Sequence, residues 1–143
     1  MSDDIPASVP EVIVRDNVFH DNLVNTIIYN YEYPGSGHKV VIERNHIYNN
    51  TSCTASARNQ RAIVMFEHHD TPAVVRNNFI YNNDWSILSN RSVIYCWDSD
   101  NKKIYNNTLY NNNTSGGEIH VDANSTSGVE VKIGRVHTKL MSL

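Results

Sequence analysis

Two short acidic and histidine-bearing segments carry most of the reactive side chains. Glu67-His68-His69-Asp70 and Trp97-Asp98-Ser99-Asp100 end apolar runs, and a third run holds His120 and Asp122. Gathered on one face, His68, His69, Asp98, His120 and Asp122 could do acid–base work on a sugar polymer. Tyr95, Trp97 and Glu67 would then hold the sugar rings. Paired carboxylates about 5 Å apart suit a retaining glycosidase, and pairs about 9–10 Å apart suit an inverting one. A lyase needs a different set, a base for the α-proton and a cation to neutralise a uronate. His68, His69, Lys102 or Lys103 could be that base, and Asp98, Asp100 and Asp122 could offer oxygens to Ca²⁺. The plain alternative is a set of solvated rim residues with structural duties only.

A second candidate surface is purely aromatic. Tyr48, Tyr81 and Tyr110 recur at like positions, with His20 before them and His137 after. Flat rings in a row offer a platform for the apolar faces of sugars, or they stack on one another for stability. Cys96 lies in an apolar run beside the position of Phe66, which suits a small core residue better than a nucleophile. Cys53 lies in a long polar loop, and neither cysteine has the Cys/His spacing of a zinc site.

What must position these residues is written in the asparagines. There are 20 among 143 residues, and they are ordered. Segments starting at Val14, Ile42, Val75 and Ile104 align without gaps, and a weaker copy starts at Val131. Repeats of this length mark a solenoid. Val14, Ile42, Val75, Ile104 and Val131 make one apolar column, and Phe19, Ile47, Ile80, Leu109 and Val136 another. Between them stand Asn17, Asn45, Asn78 and Asn107, replaced by Gly134 in the last copy. Asn and Gly both tolerate the left-handed backbone region, so this column is expected to be the bend itself. Stacked amides can also bond to one another along the axis. A second set of pairs, Asn49-Asn50, Asn82-Asn83 and Asn111-Asn112, closes the strand on its other side. Arg15, Glu43, Arg76, Tyr105 and Lys132 form an outward column whose alternating signs favour stacking. A further strand recurs in each repeat, as in Ala62–Phe66 and Ser92–Cys96. It should place Met65, Tyr95 and His120 in one column and Glu67, Trp97 and Asp122 in the next.

The apolar period of two, broken by bends, excludes helical repeats, and the leucine frame of leucine-rich repeats is missing. The expected fold is all-β, a right-handed parallel β-helix of about five coils, forming one domain over residues 1–143. The frame x-Val-x-x-Asn-x-Ile-x-x-Asn resembles the pectate-lyase-like superfamily, in its generic β-helix-repeat members, over roughly residues 12–139. That resemblance implies the fold and a polysaccharide partner. It is unspecific for reaction, because the superfamily holds lyases, hydrolases, epimerases and non-catalytic modules. The Asn-Thr-Asp, Asp-Asp and His-Gly series of polygalacturonases is absent, as is the Asp-Pro-His of mannuronan epimerases. Two readings therefore stand: a carbohydrate-facing module with weak or no activity, and a non-catalytic structural or assembly protein.

Composition narrows the partners. A net charge of −3 and no basic stripe argue against nucleic acid. No apolar run approaches the ~20 residues of a membrane span, and no basic-then-apolar leader opens the chain. Both ends of a β-helix expose strand edges. The expectation is a homo-oligomer joined through a helix end, with Leu140-Met141-Ser142-Leu143 as the favoured surface, or else a longer solenoid of which this is a part.

Overall fold

In the computed structural model, strands and bends repeat in the order the asparagine columns demand. The structure describes residues 10–32, 37–53, 62–86, 91–122, 124, 127–132 and 135–137. The first turn runs through β1 (Glu11–Arg15), β2 (Val18–His20), β3 (Leu23–Val24) and β4 (Ile28–Tyr31). The second has β5 (Lys39–Glu43), β6 (His46–Tyr48), β7 (Thr51–Ser52) and β8 (Ala62–Glu67). The third has β9 (Ala73–Arg76), β10 (Phe79–Tyr81), β11 (Asp84–Trp85) and β12 (Ser92–Trp97). The fourth has β13 (Lys102–Tyr105), β14 (Thr108–Tyr110), β15 (Asn113–Thr114) and β16 (Ile119–Val121), after which β17 (Glu130–Lys132) and β18 (Arg135–His137) begin another rung.

Like strands stack into four parallel sheets, in the orders β1-β5-β9-β13-β17, β2-β6-β10-β14-β18, β3-β7-β11-β15 and β4-β8-β12-β16. We call them the first to fourth sheets. The result is an all-β parallel solenoid of about four turns. Among the described residues no helix is long and apolar enough to cross a bilayer. The third sheet, two residues per strand, is too short to leave a periodic signal in the sequence.

The registers join the expected columns. Val14, Ile42, Val75, Ile104 and Val131 are successive partners in the first sheet. Phe19, Ile47, Ile80, Leu109 and Val136 are partners in the second. Ile42, Ile47 and Ile80 are completely buried, and with Phe66, Trp85 and Cys96 they fill the interior. The first described turn is more open: Val12 is 46% exposed and Leu23 69%.

Two amide ladders tie the turns together. Asn17, Asn45 and Asn78 each donate from both backbone N and Nδ2 to Oδ1 of the next asparagine, ending on Asn107, at 2.9–3.1 Å. Asn22, Asn50 and Asn83 do the same toward Asn112. Nδ2 of Asn45 and Asn78 also donates to the carbonyls of Val14 and Ile42 in the preceding turn. The bend itself lies one residue earlier than the sequence suggested. Asp16, Arg44, Asn77 and Asn106 have φ of 53–57°, while the ladder asparagines do not have positive φ. The physical reason is that the amide must point inward to reach its neighbours, so the preceding residue takes the left-handed turn. The charged column is as expected: Glu43 Oε2 accepts from Arg76 Nε at 2.8 Å, and Arg15 stands 3.6 Å from Glu43. Arg76 holds the Glu43 carboxyl below its ordinary range. The weaker fifth copy is described only in part, and Gly134 and Leu140–Leu143 lie outside the described residues.

Candidate functional site

The outer face of the fourth sheet collects the reactive segments because its register aligns them. Tyr29, Met65, Tyr95 and His120 are successive partners, and Tyr31, Glu67 and Trp97 form the adjacent column. Asp122 follows β16, its backbone N donating to the Cys96 carbonyl at 3.0 Å. The alternation of in and out along β8 and β12 sends Val64, Phe66, Ile94 and Cys96 to the core and leaves Glu67 and Trp97 outside.

Access changes along the solenoid axis. Met65 is fully buried and Tyr95 only 4% exposed, and Trp97 packs against the cluster they form with Ala62. The Tyr95 ring meets His120 edge-on at 4.7 Å, which leaves it little surface for a ligand. Toward the first turn the face opens. Tyr29 is 43% exposed and Tyr31 39%. Tyr29 and Tyr31 are tilted at 6.5 Å, Tyr31 meets His68 edge-on at 5.7 Å, and His68 is tilted against Trp97 at 5.6 Å. Neighbouring rings here do not lie flat on one another.

Acid–base groups are set among these rings. Tyr29 donates its hydroxyl to Glu67 Oε2 at 2.5 Å, and Glu67 is itself nearly buried. His68 Nδ1 lies 2.8 Å from Asp98 Oδ2, with both side chains about half exposed. Both residues have positive φ, 50° and 46°, so one bend repeated in successive turns brings them together. When Nδ1 donates to Asp98, Nε2 is left as the acceptor, the arrangement that orients a histidine as a base.

His69 does not join them. It is completely buried at the corner between the fourth and first sheets, against Phe66 and His38. Burial, with the nearby Lys102 charge adding, pulls its pKa down to about 4. Lys102 is buried too, donating to the carbonyls of His69, Asp100 and Thr71. Burial lowers it to about 8. Glu32 completes this corner by accepting from the backbone N of Asp70 and from Thr71 Oγ1. Asp100 and Asp122 act as turn caps: Oδ1 of Asp100 accepts from Ser127 N at 3.0 Å, and Oδ1 of Asp122 from Asn124 N at 2.8 Å. Among the described residues no group of three or more His, Cys, Asp or Glu could hold a metal ion. Cys96 is buried, which pushes its thiol up to about 12, far from a nucleophile's range.

The tyrosine stripe lies on the second sheet, away from this face. His20 and Tyr48 stack at 5.2 Å and 7°, and Tyr48 and Tyr81 at 5.0 Å and 12°. Their faces are turned toward one another, so edges and hydroxyls look outward. Tyr110 continues the register and is 47% exposed.

Sequence reasoning missed Tyr29 and Tyr31 as members of the open face. The signal was there, two tyrosines at spacing two in a strand, but loops of unequal length on either side hid its register with Glu67. Compared with family models, curated proteins and solved structures, the chain matches none.

Proposed function

We propose that the open end of the fourth-sheet face binds an extended glycan along the solenoid axis, with weak turnover or none. The observation that carries this reading is the exposure of Tyr29 and Tyr31 in the first turn, with half-buried Trp97 two turns on in the Tyr31 column, beside Glu67 and the His68–Asp98 pair. Open aromatic faces suit the C–H faces of sugar rings, and a few fixed polar groups orient them. Slow acid–base chemistry would use His68 Nε2 as base, oriented by Asp98.

The second reading is a structural or assembly protein whose product is the stacked fold. What favours it is that Asp100, Asp122, Glu32 and Ser99 already serve the backbone of the corners. A binding and cleavage screen against alginate, pectate, chondroitin and neutral glycans separates the two. Binding of any of these that Trp97→Ala weakens at least tenfold supports the glycan reading. Silence across that panel supports the structural one.

A further inference from the structure

We infer that two copies of this chain pair head to head through the free edge of β1, as a twofold dimer that closes the open first turn. The inference does not rest on the glycan reading. Among the described residues, the exposed aliphatic side chains are Val12, Ile13, Val18 and Leu23, all in the first turn, and Val121. Their partners one turn on show what covering does: Val40 beside Val12 is 2% exposed, and Val41 beside Ile13 is 8%. Val14, Phe19 and Val24 pack on the core without being fully buried. An apolar cross-section is left in view there, bounded by a strand edge, and such an edge is a template for another chain.

The occupant that fits is written in β1 itself, Glu11-Val12-Ile13-Val14-Arg15. An acid, three aliphatics and a base make a strand complementary to its own reverse. The Pro10 carbonyl accepts from Lys39 N, and Asp16 N donates to the Glu43 carbonyl. Backbone direction alternates along a strand, so the N–H and C=O groups of Glu11, Ile13 and Arg15 point to the free edge. Set antiparallel about an axis at Ile13, the two Ile13 residues exchange both bonds, and Glu11 exchanges bonds with Arg15 of the other copy. Val40 and Ile42, the partners of Val12 and Val14, lie in the core, which leaves Glu11, Ile13 and Arg15 sharing the outer face. The same register therefore sets the Glu11 carboxylate opposite the Arg15 guanidinium and closes Val12 on Val14 inside. Both charges are available for this. Arg15 Nε stands 3.6 Å from a Glu43 carboxylate that Arg44 and Arg76 approach more closely, and Glu11 has no ion pair among the described residues.

A head-to-tail stack fits worse. It would lay β17 on β1 in the register of the first sheet, with Lys132 over Arg15, like charges on adjoining rungs. The twofold pair also closes on itself, whereas a head-to-tail contact leaves an edge from which to grow.

The test is sedimentation equilibrium of the full chain and of variants in β1. The wild type should sediment at twice the monomer mass. Glu11→Arg and Arg15→Glu each set like charges opposite one another, twice per dimer by symmetry, and should raise the dissociation constant at least tenfold. Both changes in one chain should restore association, and so should mixing the two single variants, which complement each other. Ile13→Lys, on the exposed outer face, should give monomers. Circular dichroism checks that each variant is folded, and the double variant and the mixture separate lost charge pairing from a damaged fold. A monomeric wild type overturns the proposal, whether its β1 edge is open or covered by its own chain. A dimer indifferent to these substitutions is joined elsewhere and overturns it too. So does mass that keeps growing with concentration, the mark of head-to-tail stacking, or a double variant and mixture that stay monomeric.

Discussion

Two rows of aromatic rings run along this solenoid, and they are built oppositely. On the second sheet, His20, Tyr48 and Tyr81 occupy one column of the gapless repeat and stack within 12° of parallel. On the fourth, Tyr31, His68 and Trp97 come from strand and bend positions and meet at 39° to 85°. Regularity brings like rings together at the rung spacing, where each covers its neighbour's face. Irregularity leaves faces exposed. In a repeat protein the place to seek a ligand is therefore where the repeat falters.

The regular side should be where the fold is weakest to substitution. Asn78→Ala removes the acceptor for Asn45 N and Nδ2 and the donor to Ile42 O and Asn107 Oδ1. Left unsatisfied and buried, these groups should cost about 4 kcal/mol, read as a lowered midpoint in urea unfolding. Ile80→Asn, placing an amide in the centre of a fully buried apolar column, should cost a similar 3–5 kcal/mol. A wild-type-like midpoint in either variant would break the contrast on its structural side.

Acid should find the irregular corner next. His69 is kept neutral in the fold, its pKa lowered from 6.5 to about 4. The unfolded chain therefore binds the proton first, so this contribution is complete above about pH 6.5 and is lost as pH falls toward 4. The loss should approach about 3 kcal/mol, and His69→Gln should flatten that part of the stability–pH curve. An unchanged curve would mean that His69 is not held neutral there.

The smallest effect sharpens the contrast between the rings. Tyr81→Leu keeps an apolar side chain but ends the stacking, and should cost about 1 kcal/mol while leaving glycan affinity unchanged. Affinity lost in Tyr81→Leu would move the binding surface to the second sheet.

The same division explains what could be read from sequence. The apolar columns, the Asn17–Asn45–Asn78–Asn107 ladder and the Arg15–Glu43–Arg76 stripe follow from side chains recurring at fixed offsets, so their partners could be named without coordinates; of the second ladder the sequence shows only asparagine pairs closing the strand. The left-handed residue was misplaced by one position because Arg44 stands where an asparagine or glycine was expected to mark the bend. At the fourth sheet the strand was legible, and so was the partnership of Glu67 with Trp97. The fate of His69 was not. Two adjacent histidines look alike in sequence, but a positive φ at His68 turns its ring outward and the next one in. The corner of Glu32, Thr71, His69 and Lys102 left no periodic trace, because different side chains serve there the purpose that asparagine serves elsewhere. Ser99 Oγ accepts from His69 N as Asn45 Oδ1 accepts from Asn17 N.

The claim that binding belongs to the faltering side can be mapped residue by residue. In an NMR titration of the labelled chain with a glycan that binds in the alginate, pectate, chondroitin and neutral-glycan screen, shifts should move at Tyr29, Tyr31, His68, Trp97 and Asp98, and stay fixed at Tyr48, Tyr81 and Tyr110. Movement confined to the tyrosine stripe, or none at saturating sugar, would contradict it.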